Sequence, residues 1–215
     1  MLANFQAFKI RLLGVLVDWY YGVDTRGVIS SKSLDLDSER CHAYAPVAWS
    51  DLKRVLRAIE IRRDEVFLDL GCGKGRALFA AAAFDFQRVV GVEISQRLCE
   101  IARANIKRFT RGNAASAAKF EIVEADAALF TIPTDVTLIF LFDPFSGEVL
   151  DAVMQHLQAS LSSRPRRVRI VYAAPAQEAR ILAYPGARAI AEIPRDLRGQ
   201  FAAFEIDKPA TIHRL

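Results

Sequence analysis

Three glycines alternate with other residues directly after an apolar segment, and their spacing predicts a ligand-binding turn. The stretch from Asp69 to Arg76 reads Asp-Leu-Gly-Cys-Gly-Lys-Gly-Arg, with glycine at Gly71, Gly73 and Gly75. Glycine permits a tight turn and lets a ligand come close to the backbone. A helix that begins directly after such a turn presents free N–H groups, which favour a carboxylate or a phosphate.

The spacing of this turn disfavours two common nucleotide sites. Dinucleotide-binding folds carry G-x-G-x-x-G, whereas the glycines here follow G-x-G-x-G. A P-loop places Ser or Thr directly after its lysine, but Lys74 is followed by Gly75 and Arg76. The turn therefore calls for a different ligand.

Acidic residues follow the next two apolar segments. Glu93 ends the stretch Val-Val-Gly-Val-Glu, and Asp126 lies just past the apolar residues that begin at Phe120. A carboxylate in the position of Glu93 can accept hydrogen bonds from both hydroxyls of a ribose. Asp126 can accept one from an adenine amino group. Together with Asp69, these carboxylates predict a ligand that carries an amine, a ribose and an adenine.

A fourth apolar segment ends in Asp143-Pro144-Phe145. Pro144 fixes the backbone, so that the carbonyl and the side chain of Asp143 can point into a cleft. Phe145 can form a wall of the reaction channel. Asp143 is the nearest candidate base if the substrate nitrogen arrives as an ammonium, and capping of the following helix is its alternative role.

Two tyrosines and one histidine are further candidates. Tyr44 precedes a helix that is expected to lie over the ligand, and Tyr172 ends the fifth apolar segment, where it can face the second substrate. Packing in the core is an equally good reading for both rings. His42 stands isolated in the sequence, and we expect a surface or packing role for it rather than that of a general base.

Alternating strand and helix patterns predict where these residues lie. Strands are predicted at 66–70, 88–92, 120–123, 136–142 and 168–173, with helices at 76–84, 96–109 and 149–161. Two shorter pieces, 187–193 and 201–206, are expected to pair as a hairpin. This order predicts an α/β fold with a doubly wound, mostly parallel sheet of seven strands and a C-terminal antiparallel hairpin. Ligands of such folds bind at the carboxyl ends of the strands.

Residues 1–60 are predicted to form an N-terminal helical cap on a core of residues 61–215, so that positions 1–215 make one domain. In the first helix, six apolar residues recur at steps of three and four and predict one buried face: Leu2, Phe5, Phe8, Leu12, Leu16 and Trp19. This helix either packs on the domain as a lid or lies on a membrane surface. A second helix is predicted to begin near Pro46.

Composition sets the broad class. The chain has 215 residues, 52% of them hydrophobic, and a formal net charge of +4. Its three cysteines form no CxxC pair, which disfavours a structural zinc site and a disulfide framework and fits a reducing, cytoplasmic location. No apolar stretch is long enough to span a bilayer. The basic cluster at 164–169 reads as the entrance of a strand rather than as a phosphate contact.

The glycine turn and the acids after it resemble, over 66–174, the class I S-adenosylmethionine (SAM)-dependent methyltransferases. The resemblance implies that SAM binds here and leaves as S-adenosylhomocysteine, without a metal. Asp69 and the glycines would hold the methionine portion, Glu93 the ribose, and Asp126 with Ala127 the adenine. The full set of cofactor-binding residues implied is Tyr44, Asp69, Gly71, Cys72, Gly73, Gly75, Glu93, Ile94, Asp126 and Ala127.

Asp143-Pro144-Phe145 is similar to the Asp/Asn-Pro-Pro-Tyr/Phe motif of amino-methyltransferases, although one proline is missing here. In that motif the polar residue and a backbone carbonyl accept hydrogen bonds from the target nitrogen. The similarity implies a catalytic set of Asp143, Pro144, Phe145 and Tyr172, and methylation of a protein side-chain nitrogen or a small amine. More distantly, the chain is similar to the seven-strand protein lysine methyltransferases. An RNA or DNA methyltransferase, a non-catalytic SAM-binding protein and a nucleotide-dependent oxidoreductase are the alternatives.

Overall fold

A seven-stranded sheet forms the centre of the structure, a computed structural model that describes residues 14–111, 116, 119–190 and 192–207. The strand order is β3-β2-β1-β4-β5-β7-β6. β1 to β5 pair in parallel, and β7 runs antiparallel to β5 and β6. The predicted fold class is therefore confirmed. The strands are β1 (Val66–Leu70), β2 (Arg88–Glu93), β3 (Phe120–Glu124), β4 (Leu138–Phe142), β5 (Val168–Ala173), β6 (Ala187–Ala189) and β7 (Phe201–Ile206).

Helices cover both faces of the sheet, which explains why β1 and β4 are almost continuously apolar. The first helix is described over 14–21 and is named α1 here. The others are α2 (Trp49–Ala58), α3 (Arg76–Ala81), α4 (Gln96–Phe109), α5 (Gly147–Ser163) and α6 (Glu178–Leu182). One 3-10 turn, Ser31–Leu34, precedes α2, and another, Arg195–Leu197, precedes β7.

Some boundaries differ from the sequence predictions. α3 ends at Ala81 rather than at position 84, because the chain must turn to bury Phe86 against Phe67 in the core. β4 begins two residues later than expected, and the first strand of the hairpin is limited to Ala187–Ala189. The short helix α6 between β5 and β6 was not predicted.

The predicted inner face of α1 is wrong at the two positions that can be checked. Leu16 is 52% exposed and Trp19 80% exposed, whereas Asp18 is only 1% exposed. Leu2, Phe5, Phe8 and Leu12 lie outside the described residues. A polar contact of Asp18 decides which face of the helix packs on the domain. The spacing of hydrophobic residues does not show such a contact. In the described part of the chain, no helix has the length and apolar character needed to span a bilayer.

That contact is a buried ion pair between Asp18 and Arg76, the first residue of α3. The guanidinium Nη2 lies 3.3 Å from Asp18 Oδ1. Thr25 completes the cluster, since its hydroxyl donates to Asp18 Oδ1 at 2.8 Å and accepts from Arg76 Nε at 2.8 Å. Buried charges need this kind of full pairing. The pair therefore joins the N-terminal cap to the helix that follows the glycine turn.

Replacing Arg76 by Met is expected to lower the free energy of unfolding by about 3 kcal/mol, because the buried Asp18 carboxylate loses its guanidinium partner. Urea unfolding followed by circular dichroism measures this loss. Arg63→Met is the matched control, since Arg63 pairs with Asp85 at the surface, where such a pair contributes about 0–1 kcal/mol. Equal losses in the two variants would contradict the role given to the buried pair.

Candidate functional site

The glycine turn after β1 packs so closely on other segments that side chains do not fit at two of its positions. Gly71 and Gly73 have positive φ angles of 83° and 54°. A Cβ added at Gly71 would lie 2.6 Å from Pro144, and one at Gly73 would lie 2.2 Å from the ring of Tyr44. Both residues are therefore required by backbone conformation and by space. The turn is also tied to β2, since the N–H groups of Gly71 and Cys72 donate to the carbonyl of Val92.

Glu93, at the end of β2, is held by backbone donors. Its Oε2 accepts from the N–H of Gly73 at 2.9 Å, and its Oε1 accepts from the N–H of Ser95 at 2.9 Å. Burial raises the pKa of the Glu93 carboxyl, while these backbone hydrogen bonds lower it in part. Each carboxylate oxygen has a second lone pair, so Glu93 retains acceptor capacity for a ligand hydroxyl.

Asp69 and Cys72 lie deeper than the sequence suggested. Both are buried, and desolvation raises the pKa of each group well above its ordinary value. The charge of Glu93 raises the pKa of Asp69 further. Direct contact with a ligand is therefore a less fitting role for Asp69 than support of the turn from within the sheet.

Asp126 lies just past β3 and makes two contacts. Its Oδ1 accepts from the N–H of Ala128 at 2.8 Å, and its Oδ2 lies 3.1 Å from the guanidinium of Arg40. Arg40 was not predicted as a site residue, because it lies in a polar loop 86 residues before Asp126 in the chain. The pair brings this loop to the carboxyl end of the sheet.

Residues 40–45, which we name the strap, cross the carboxyl ends of β1 and β4. Cys41 forms a bridge with Phe145, and the carbonyl of Arg40 accepts from the N–H of Ser146 at 2.9 Å. The strap is anchored at its far end by Tyr44, whose hydroxyl donates to the carbonyl of Thr25 at 2.8 Å. Burial raises the pKa of Tyr44, so its hydroxyl remains a donor.

Asp143 is held from two sides at the end of β4. The Tyr172 hydroxyl donates to Asp143 Oδ1 at 2.8 Å, and His42 Nδ1 lies 3.3 Å from Oδ2. Asp143 also has a positive φ of 38°, a conformation that Asp tolerates better than most residues. Burial and the neighbouring carboxylate raise the pKa of Tyr172, which keeps the ring neutral. Tyr172 is buried and supports Asp143 from behind.

A cavity of about 680 Å³, part of it open to solvent, lies between the strap and the carboxyl ends of β1 to β4. Its apolar walls include Val92, Leu98, Phe142 and Val149. The predicted site residues on its walls are Tyr44, Gly71, Glu93, Ile94, Asp126, Ala127, Pro144 and Phe145.

Other predicted site residues of the described chain stand behind these walls. Cys72, Gly73 and Gly75 form the buried part of the turn, and Asp69 lies beneath them in β1. Asp143 and Tyr172 bond to each other and do not line the cavity. Conversely, Cys41 and His42 of the strap line the cavity. The sequence missed them because nothing in its local pattern shows that the strap returns to β4.

The basic cluster lies at the opposite edge of the sheet, where β5 begins. Arg166 Nε donates to the carbonyl of Val136 at 2.6 Å, Arg167 pairs with Glu205, and Arg169 pairs with Glu65. These arginines are therefore engaged in structural contacts, away from the cavity. Their placement agrees with the prediction of a strand entrance.

Comparison with known sequences adds two findings. Residues 2–140 match the family described as histone methylation protein DOT1. A protein-lysine N-methyltransferase from Saccharolobus islandicus is 34% identical over 92 residues, which are 42% of this chain. The matched stretch spans 57% of the length of that relative.

Solved structures with the same fold include an RNA methyltransferase from Salinibacter ruber in complex with S-adenosyl-L-homocysteine. It is 24% identical and covers 80% of this chain and 98% of its own, with a TM-score of 0.51. A predicted O-methyltransferase from Agrobacterium tumefaciens is 19% identical and covers 74% of this chain and 81% of its own, with a TM-score of 0.53. At these identities the similarity concerns the fold alone.

The Gly73→Val variant is expected to weaken SAM binding about 100-fold, because the new side chain must displace the Tyr44 ring and distort the turn. Isothermal titration calorimetry measures the affinity, and circular dichroism reports on folding. Gly199→Val is the matched control, since Gly199 has a positive φ of 82° but no atom within 4 Å of an added Cβ. Unchanged affinity in Gly73→Val would refute the assignment of the turn.

Proposed function

The chain belongs to the histone methylation protein DOT1 family, and we propose that it transfers a methyl group from SAM to a lysine nitrogen of a protein. The predicted membership of the class I SAM-dependent methyltransferases is confirmed by this match and by the fold. The observation that carries the proposal is the cavity, in which the residues suited to SAM and the Asp143-Pro144-Phe145 turn meet under the strap.

The residues around the cavity fit SAM by their chemistry. Glu93 offers carboxylate lone pairs to the ribose hydroxyls, and Asp126 offers them to the adenine amino group. Ile94 and Ala127 lie on the same walls, and the apolar side chain of Leu98 suits an adenine ring. The exposed face of Gly71 and the half-buried Tyr44 are placed to contact the methionine portion.

In methyl transfer, the main task of the protein is to orient the acceptor nitrogen relative to the methyl group. When bound, SAM supplies an activated methyl group, so that a nitrogen–carbon bond forms as the carbon–sulfur bond breaks and its electron pair leaves with sulfur. The chain must hold the acceptor nitrogen in line at about 3–3.5 Å from the methyl carbon. Pro144 and Phe145 line this end of the cavity, and Asp143 directly precedes them at the end of β4.

A protein acceptor is favoured over a nucleic acid. The relative from Saccharolobus islandicus is a protein-lysine N-methyltransferase, and the Asp143-Pro144-Phe145 turn is similar to an amine-binding motif. The basic cluster at 164–169 supplies no phosphate-binding surface beside the cavity, because Arg166, Arg167 and Arg169 are paired at the opposite edge of the sheet. A small amine is the remaining nitrogen acceptor.

We further propose that positions 1–215 act as one domain, because the strap and the ion pair between Asp18 and Arg76 build the N-terminal part into the site. Cys41, Cys72 and Cys99 are free thiols, which supports a reducing compartment such as the cytoplasm.

Labelling identifies the acceptor. Incubation with radiolabelled SAM and a cell extract, followed by separation into protein, RNA and small molecules, is expected to place the label in protein. Acid hydrolysis of that fraction should then yield methylated lysine. Label confined to RNA would instead establish the nucleic-acid alternative, and the absence of label from every fraction would favour a SAM-binding protein without catalytic activity.

The Asp143→Ala variant is expected to slow methyl transfer by about 10²–10⁴-fold, because the proton-handling end of the cavity loses its carboxylate. The affinity for SAM should stay within a few-fold of the original, since Asp143 does not line the cavity. Initial rates and calorimetric titrations measure the two effects. Asp196→Ala, at an exposed pair with Arg54, is the control. Equal losses of rate and affinity would move Asp143 into the cofactor site.

A further inference from the structure

The strap brings a histidine to the turn that the acceptor nitrogen should approach. His42 Nδ1 lies 2.7 Å from the carbonyl oxygen of Asp143 and 3.3 Å from its carboxylate Oδ2. The backbone N–H of His42 also donates to the carbonyl of Pro144 at 3.0 Å. His42 therefore forms hydrogen bonds to the carbonyls of Asp143 and Pro144 and lies next to the Asp143 carboxylate.

These contacts fix which ring nitrogen is basic. A carbonyl oxygen can only accept a hydrogen bond, so the proton of the neutral imidazole lies on Nδ1 and the lone pair lies on Nε2. The His42 side chain is 41% exposed and lines the cavity, and within the described structure Nε2 has no hydrogen-bond partner. His42 thus gives the cavity a wall residue with a ring nitrogen that is free to accept a proton.

A lysine acceptor needs such a group. Its side chain is a nucleophile only as the free amine, and with an ordinary lysine pKa of about 10.4 only about 0.04% is uncharged at pH 7. A positioned base that removes the proton can raise the rate by about 10²–10⁴-fold. Asp143 is less suited to this step, because His42 lines the cavity whereas Asp143 does not.

We propose that His42 is the catalytic base and that Asp143 is a positioning residue for it; this inference rests on the proposed function. Nε2 of neutral His42 takes one proton from the lysine ammonium, which leaves a neutral amine with its lone pair free. His42 becomes an imidazolium whose charge is balanced by the Asp143 carboxylate. The proton leaves to solvent from the half-exposed ring after the methyl group has been transferred.

The charged surroundings of His42 support this cycle. From the turn after β4, Asp143 stabilises the imidazolium, and from β5 the neutral Tyr172 hydroxyl orients that carboxylate. Within the strap, Arg40 is drawn away by its ion pair with Asp126. Burial and nearby acids raise the pKa of Cys41, so this neighbour stays a neutral thiol.

Two substitutions separate proton transfer from structure. His42→Asn retains a donor near the position of Nδ1 but lacks Nε2, whereas His42→Ala removes both. His156→Gln is the matched control, since the hydrogen bond of His156 within the described residues is to the carbonyl of Ala128 at 3.0 Å, and Gln can replace it. Initial rates are measured at saturating SAM from pH 6 to pH 10. The acceptor is fresh, unlabelled protein from the fraction that the labelling experiment identifies. SAM affinity is measured by calorimetry.

We expect His42→Asn to lower the rate at pH 7 by about 10²–10³-fold with SAM affinity unchanged. Its rate should rise about tenfold per pH unit, because the lysine must then lose its proton to solvent, and added imidazole should restore part of the activity. The wild type and His156→Gln should level off at much lower pH.

Three outcomes overturn the proposal. A wild-type protein that methylates no lysine ends the proposed function and this inference together. An active wild type with an equally active His42→Asn variant refutes the role of His42 alone. A His42→Asn variant that loses rate and SAM affinity in parallel, without rescue by imidazole, shows that His42 only holds the strap in place.

Discussion

The site depends on the close contact of three backbone segments that are distant in the sequence. The glycine turn touches the strap at Gly73 and the turn after β4 at Gly71, in both places without room for a Cβ. The cavity exists because these segments meet at the carboxyl ends of parallel strands, where the chain leaves the sheet in different directions. A side chain at either glycine would push its neighbour outward and open the site.

Electrostatics divides the cavity into two ends. At one end, Glu93 and Asp126 present carboxylates that are oriented by backbone N–H groups and by Arg40, which suits the hydroxyl and amino donors of an adenosine group. At the other end, Asp143 lies beside His42. Under the proposed function, this division separates cofactor binding from proton transfer, so a substitution at one end can be tested without loss of the other.

The N-terminal cap is part of the site rather than an appendage. The strap is bound to Thr25 by the hydrogen bond from the Tyr44 hydroxyl. Thr25 in turn belongs to the buried cluster of Asp18 and Arg76. Arg76 directly follows the glycine turn. The ion pair between Asp18 and Arg76 therefore helps to fix the position of the strap relative to the glycine turn. The outer face of α1 carries the exposed Trp19 and is not needed for this contact.

The sequence by itself determined the order of the strands and of the helices other than α6, the fold class and the glycine turn, because these follow from local apolar periodicity and glycine spacing. It also predicted that Glu93 and Asp126 lie near each other, since the ends of parallel strands meet at one edge of a sheet, and both line the cavity. Only the tertiary structure showed that His42 and Arg40 reach this edge, and that Asp18 rather than Trp19 faces inward. Contacts of this kind join residues tens of positions apart through single polar pairs, and such pairs leave no periodic pattern in the chain.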